Sequence, residues 1–171
     1  MTWMRALNIR ESGFTLMELM AVIAIAGMVT LGLVAFYLTS QAMWMDASTQ
    51  ALAQRDATTL AEYMRDKTRG AAQALVESAS PDSLNHKLTL FDGGGHETDS
   101  FFWSPADSLV HHGTGDGDVD QGPVVPTIVE RFYVSLDGTL PLVSLDTLRV
   151  RSTTGQKVQM STGFALYNAT P

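Results

Sequence analysis

A long apolar run near the N-terminus constrains this chain more than any other feature of its sequence. Residues 14–38 are 25 residues with one charged side chain, Glu18. At about 1.5 Å per residue, a helix of that length covers a hydrocarbon core of roughly 30 Å. The run therefore predicts a membrane-spanning helix. A carboxylate inside such a span costs about 3 kcal/mol on insertion scales, so we expect Glu18 to have a partner.

The residues before the run predict its orientation. Residues 1–13 carry Arg5 and Arg10, with Glu11 as the opposing charge. Positive residues favour the cytoplasmic side, so the N-terminus is expected in the cytoplasm and the C-terminal part in the periplasm. The run is longer than the core of a secretory signal, which has about 7 to 15 apolar residues. Cleavage after Ala42, which follows the small residue Ser40 by two positions, nevertheless remains an alternative.

The start of the run also carries a processing motif. Gly13 separates the polar leader from the span, and its backbone freedom interrupts a helix there. The sequence GFTLME at residues 13–18 resembles the processing site of type IV prepilins and of type II secretion pseudopilins. The resemblance implies that a prepilin peptidase cuts between Gly13 and Phe14 and that the new amine on Phe14 is methylated. It also implies that Glu18 pairs with the terminal amine of an adjacent subunit.

The same resemblance implies a set of partners and a location. The partners are other pilin or pseudopilin subunits, the filament assembly platform and the bacterial inner membrane, from which the subunit passes into a pilus or pseudopilus. A second interpretation of Glu18 stays open, because unpaired amides and the helix dipole favour a negative charge in the first helical turn. Glu18 could then serve its own helix or its own amine.

The helix is predicted to continue beyond the membrane. Between residues 39 and 75 there is no proline and one glycine, Gly70. Leu52, Leu60 and Met64 recur at helical spacing among charged residues. We therefore expect residues 39–77 to form an amphipathic periplasmic half of one long helix, ended by Pro81.

The remaining residues, 78–171, predict an antiparallel β domain. Alternating polar and apolar residues mark two clear strands, at 86–91 and 127–136. Further strands are expected at 101–103, 109–110, 148–151, 156–160 and 164–167. The fold class is α+β and pilin-like, with the second half of the long helix packed against a small antiparallel sheet. The helix and the C-terminal strands also resemble PilW-like minor pilins and J-type pseudopilins, which implies a minor subunit.

Composition excludes several classes of function. The chain has 171 residues and no cysteine, so it has no disulfide framework and no thiol nucleophile. A net charge of −7 argues against a nucleic-acid surface, which needs clustered Lys and Arg. Nucleophile elbows, phosphate-binding loops and HExxH zinc motifs do not occur. We therefore predict neither an enzyme nor an obligate cofactor.

An acidic stretch offers one candidate metal site. Asp116, Asp118 and Asp120 occupy alternate positions and could direct carboxylate oxygens at one calcium ion. The EF-hand pattern fails, since the twelfth position counted from Asp116 is Thr127. The alternative is a solvated acidic loop between strands.

Adjacent histidines precede this stretch. Neighbouring residues of a strand point to opposite faces, so His111 and His112 cannot readily bind the same ion.

Two functions therefore remain open. One is a processed, pilin-like structural subunit, and the other is a membrane-tethered periplasmic binding module, with calcium as the candidate ligand.

Overall fold

The computed structural model describes residues 14–78, 85–115, 119–137 and 140–168, and these form one helix and eight strands. Helix α1 runs without interruption from Leu16 to Gly70. Ala, Leu and Met are its commonest good helix formers and proline is absent, so the segment has high helix propensity. The prediction of an α+β fold with one long N-terminal helix is confirmed.

The prediction that the helix reaches residue 77 is wrong. Helix α1 ends at Gly70, and Gln73–Ser78 form strand β1. The N–H of Ala71 donates to the Thr68 carbonyl at 3.2 Å, and the N–H of Ala72 donates to the Phe91 carbonyl at 2.8 Å. The chain thus leaves the helix directly into a ladder with the next strand, and this pairing overrides the helix propensity of the segment.

The first sheet has five antiparallel strands in chain order. They are β1 Gln73–Ser78, β2 His86–Phe91, β3 Glu97–Ser104, β4 Leu109–Thr114 and β5 Val119–Pro123. Sequence alternation predicted β2 at its observed bounds, whereas β3 and β4 are longer than predicted. Strand β5 was not predicted, and it pairs with β4 across the acidic stretch.

The second sheet has three antiparallel strands, so the expectation of a single small sheet is wrong. They are β6 Val129–Leu136, β7 Leu142–Arg151 and β8 Lys157–Ala165. Two predicted strands, at 156–160 and 164–167, are one strand in the structure. They join because β7 begins earlier than expected, and its Ser144 and Leu145 pair with Gly163 and Thr162.

Strand β6 connects the two sheets. The Phe132 N–H donates to the Asn85 side-chain oxygen at 2.8 Å, and these residues form an isolated parallel bridge. The Trp103 indole of β3 donates to the Val129 carbonyl at 2.8 Å. The two sheets are therefore joined by hydrogen bonds through β6.

The chain divides into two compact units, Met1–Trp44 and Met45–Pro171. In the second unit, the end of α1 and both sheets build one hydrophobic core. Its largest fully buried side chains include Leu60 and Met64 of α1, Phe101 of the first sheet and Phe132 of the second. The amphipathic part of α1 thus covers the sheets, as the sequence predicted.

One residue of the predicted helix face is misplaced. Leu52 is 52 % exposed, whereas Ala53 and Ala57 are buried. Small side chains therefore occupy this end of the buried face.

Candidate functional site

Helix α1 begins with a reciprocal pair of side-chain hydrogen bonds. Thr15 donates from its backbone N–H and from its hydroxyl to Glu18 Oε2, each at 3.2 Å. The Glu18 N–H donates in return to the Thr15 hydroxyl oxygen at 3.3 Å. This is a capping box, in which a threonine before the helix and a glutamate three residues later satisfy amides that the first turn leaves unpaired.

The Glu18 carboxylate keeps one oxygen for another partner. Both bonds from Thr15 go to Oε2, and no group in the described ranges donates to Oε1. Phe14 lies just before the helix and is 75 % exposed. Gly13 lies outside the described residues. Cleavage after Gly13 and pairing of Glu18 with an amine therefore stay predictions.

The large apolar side chains at the start of α1 are exposed and are not packed against the described rest of the chain. From Phe14 to Trp44, every large apolar side chain is more than half exposed. Among the described residues, α1 is the one helix long and apolar enough to cross a membrane by length and composition, with a mean hydropathy of 2.5 over 18 residues. Such a surface needs lipid or other helices to cover it.

Two threonine hydroxyls within this stretch are satisfied by the helix itself. The Thr30 hydroxyl donates to the Ala26 carbonyl at 2.7 Å, and the Thr39 hydroxyl donates to the Ala35 carbonyl at 3.0 Å. These bonds satisfy the two threonine hydroxyl donors, which would otherwise be unpaired in hydrocarbon. The described part of the span is therefore compatible with lipid on all sides.

Asp120 of the acidic stretch lies on β5 and bonds to His111 of β4. The His111 Nδ1 lies 2.9 Å from Asp120 Oδ2, and its Nε2 lies 2.8 Å from Asp107 Oδ2. Each ring nitrogen faces a carboxylate, so a protonated imidazole donates on both sides. Burial lowers the pKa of His111, but the hydrogen bonds to Asp107 and Asp120 outweigh it and raise that pKa above 6.5.

The predicted calcium ligands are only partly described. Asp116 and Asp118 lie outside the described residues, and Asp120 also accepts the Gly122 N–H at 2.7 Å. No group of three candidate ligands that could hold a metal occurs in the described part of the chain. The calcium site stays a prediction. It requires the melting temperature to rise in millimolar calcium, and an unchanged value would contradict it.

His112 occupies the opposite face of β4, which confirms that the two histidines do not share a site. Its Nε2 lies 2.7 Å from Asp99 Oδ1, and its Nδ1 lies 3.3 Å from the Tyr63 hydroxyl. Lys67 of α1 pairs with the same carboxylate at 2.8 Å, and the hydrogen bond to Asp99 raises the lysine pKa. This network fixes α1 against β3 and β4.

Sequence reasoning missed two of these features. The Thr15–Glu18 cap has a recognisable signal, a Ser or Thr followed three residues later by Glu at a helix start. The Lys67–Asp99 pair has no such signal, because its members are distant in sequence and meet only through the packing of α1 on β3.

Comparison with known families agrees with the N-terminal motif. The family model described as the prokaryotic N-terminal methylation motif matches residues 8–34, which include Gly13, Phe14 and Glu18. The comparisons with curated proteins and with solved structures gave no match. The N-terminal part of the chain thus carries a motif consistent with the type IV prepilin and pseudopilin family. This motif and the exposed apolar helix support a pilin-like or pseudopilin subunit with a membrane anchor.

Proposed function

We propose that this chain is a minor structural subunit of a type IV pilus or a type II secretion pseudopilus. A prepilin peptidase cleaves it after Gly13, and the new amine on Phe14 is methylated. The observation that carries the proposal is a carboxylate at the start of an exposed apolar helix, with Oε2 held by Thr15 and Oε1 without a donor in the described ranges. The resemblance to PilW-like and J-type proteins supports the minor role.

In the proposed mechanism of assembly, the apolar part of α1 exchanges lipid for the helices of neighbouring subunits. Before assembly, the apolar part of α1 lies in the inner membrane, with the N-terminus in the cytoplasm and the β domain in the periplasm. During assembly, the filament platform extracts the subunit and neighbouring helices replace lipid around α1. Burying the same apolar surface in either environment makes this exchange nearly neutral, so specific contacts must set the position of the subunit.

Glu18 supplies that contact in the proposal. An unpaired carboxylate among packed apolar helices is costly, and a terminal amine on a neighbouring subunit neutralises it through a charge-assisted hydrogen bond. The distance from the end of the helix to Glu18 then fixes the stagger between subunits. The Thr15 cap holds the carboxylate at the first turn while Oε1 receives the amine.

The substitution Glu18→Gln separates capping from charge. Glutamine also completes a capping box, so the helix start is retained while the negative charge is lost. We expect Glu18→Gln to insert into the membrane normally and to be depleted about tenfold from sheared filaments. The matched control is Asp46→Asn, which removes a carboxylate from the same helix outside the apolar run.

Immunoblots of the membrane and filament fractions measure both variants. Depletion of Glu18→Gln with normal incorporation of Asp46→Asn supports the proposal. Equal incorporation of the two variants would reduce Glu18 to a helix cap and contradict it.

A further inference from the structure

Strand β8 is an open edge of the second sheet. It pairs with β7, and in the described part of the chain its backbone exchanges hydrogen bonds with no other strand. It is nine residues long, from Lys157 to Ala165, and contains no proline. An unpaired strand presents a row of N–H and C=O groups to which another extended chain can pair.

The edge strands of the first sheet are irregular or lie close to another strand. Strand β5 ends in Pro123, Gly122 has a φ of 100°, and the register shifts between His111 and Gly113. A proline and a bulge of this kind interrupt pairing with a further strand. Strand β1 lies close to β6 of the second sheet.

Strand β8 itself is regular. The irregularity between β7 and β8 adds its extra residue to β7, because Leu145 and Leu148 pair with Thr162 and Met160. The outer edge of β8 therefore keeps the spacing that an added strand needs.

A groove runs between β8 and the last turns of α1. It consists of two neighbouring cavities of about 300 and 210 Å³ that share Arg65 and Phe164. From α1, it is lined by Thr58, Ala61, Glu62, Arg65 and Arg69. From β8 and the residues after it, it is lined by Met160, Ser161, Thr162, Gly163, Phe164, Ala165 and Tyr167.

The side-chain pattern of β8 reflects this groove. Val158, Met160 and Phe164 pack against the core from one face of the strand. Thr162 occupies the same face by alternation but is exposed, and it lines the groove. There is thus space beside β8 for the side chains of an added strand, next to the apolar surface of Met160 and Phe164.

The groove lining carries two arginines and one glutamate, in contrast to the net charge of −7 on the chain. Arg65 lies 3.9 Å from Asp66, and its side chain is 53 % exposed. The Arg69 guanidinium lies 5.6 Å from the centre of the Tyr167 ring. Glu62 is the one acidic side chain among the lining residues of the described chain. Two guanidinium groups are therefore placed to bind a carboxylate.

We propose that β8 and this groove bind an extended acidic segment of a neighbouring pilin-like subunit by strand addition. The segment pairs with the outer edge of β8, directs apolar side chains towards Met160 and Phe164, and places a carboxylate at Arg65 or Arg69. The identity of the partner as a pilin-like subunit rests on the proposed function. The contact lies in the unit Met45–Pro171 and is separate from the contact of Glu18.

A peptide probe tests the strand addition on the full chain in detergent micelles. The probe is a nine-residue peptide with blocked ends in which threonine occupies every odd position and valine and glutamate take turns at the even positions, so that valine and glutamate share one face of the strand. The matched probe replaces glutamate by lysine. We expect the glutamate peptide to slow hydrogen exchange in β8 about tenfold and the lysine peptide to leave it unchanged. Absence of protection by the glutamate peptide, or equal protection by both peptides, would overturn the proposal.

Three variants locate the contact. Arg65→Gln and Arg69→Gln together should weaken binding of the glutamate peptide about tenfold. Thr58→Trp, which fills the groove from an exposed position on α1, should abolish it. Arg55→Gln is the control, since Arg55 is another exposed arginine of α1 and lines neither cavity of the groove. Equal loss of binding in the control would overturn the assignment.

The occupant is tested by the association state without peptide. Chains that dimerise through β8 in micelles, with β8 protected in the dimer, would show a second copy of the same edge as the occupant and would overturn the proposal. These measurements use unassembled chain, so their failure leaves the filament assay of Glu18→Gln unaffected. Failure of that filament assay likewise leaves peptide binding to β8 intact.

Discussion

At the scale of single residues, Glu18 caps its own helix and, in our proposal, also binds the amine of a neighbouring subunit, two roles that sequence reasoning treats as alternatives. One carboxylate oxygen accepts both hydrogen bonds from Thr15, and in the described part of the chain the other oxygen has no donor. Capping therefore leaves the negatively charged carboxylate able to accept a further hydrogen bond. The cap orients the carboxylate at the first turn, and the charge remains for a neighbouring amine.

Thr15 should matter to the helix start itself. Thr15→Ala removes the cap and should destabilise the first turn by about 1 kcal/mol. Hydrogen exchange of the Glu18 and Leu19 amides, which donate to the Thr15 hydroxyl and carbonyl, measures the effect in micelles, and we expect it to be about fivefold faster. The control is Thr30→Ala, whose hydroxyl bonds within the helix interior. Unchanged exchange in Thr15→Ala would contradict the capping role.

His111 should make stability depend on pH. Its folded-state pKa is raised above 6.5, so its contribution is full below pH 6.5 and is lost as pH rises through the raised value. The pKa of Asp120 is held below 3.8 by hydrogen bonds from the Gly122 amide and from His111. The pKa of Asp107 is held below 3.8 by its hydrogen bond from His111. Stability from these two groups is lost as pH falls through the lowered values.

Substitution of His111 checks this dependence. In His111→Gln, the decline in unfolding free energy between about pH 6 and 8 should be smaller than in the parent chain. The control is His96→Gln, since His96 is exposed on the β2–β3 turn. Urea unfolding in calcium-free buffer across this pH range measures all three proteins. A profile in His111→Gln identical to that of the parent would contradict the assignment.

At the scale of secondary-structure elements, the sequence predicted those with a strong periodic pattern. Strand β2 matches its predicted bounds, and β6 lies within its predicted segment, because alternating residues sort to the two faces of a sheet. Strand β1 was missed because Gln73, Ala74, Leu75 and Glu77 favour a helix, and pairing with β2 decides otherwise. Strand β5 was missed because Asp, Gln and Gly have low β-propensity.

The buried face of α1 gives a matched pair of substitutions. Leu60 is fully buried, whereas Leu52 is 52 % exposed two turns earlier. Leu60→Ala should destabilise the unit Met45–Pro171 by about 3 kcal/mol, and Leu52→Ala by less than about 0.5 kcal/mol. Urea unfolding of the full chain, followed by circular dichroism, measures both. Similar values for the two substitutions would contradict the observed helix face.

At the scale of the whole molecule, the two units differ in what covers them. The unit Met45–Pro171 buries its own core between α1 and two sheets. The described apolar side chains of the unit Met1–Trp44 are exposed, so this unit requires partners from outside the chain. In the proposed function, lipid covers this unit before assembly and neighbouring helices cover it afterwards.

Some of the functional residues could be predicted from the sequence, and others could not. Gly13, Phe14 and Glu18 were predicted from a short motif, because the proposed processing depends on local sequence. The β8 groove and the Lys67–Asp99 pair could not be predicted, since each depends on how α1 packs against the sheets. Contacts of this kind are set by tertiary structure, and single-chain periodicity does not encode their partners.

The central claim is that the chain is processed between Gly13 and Phe14 and then enters a filament. Mass spectrometry of the N-terminal peptide, from chain purified out of sheared filaments of its native host, tests it most directly. The account predicts a peptide that begins at Phe14 and carries one methyl group on its amine. A chain that keeps Met1, or one that begins at Met43, would contradict it.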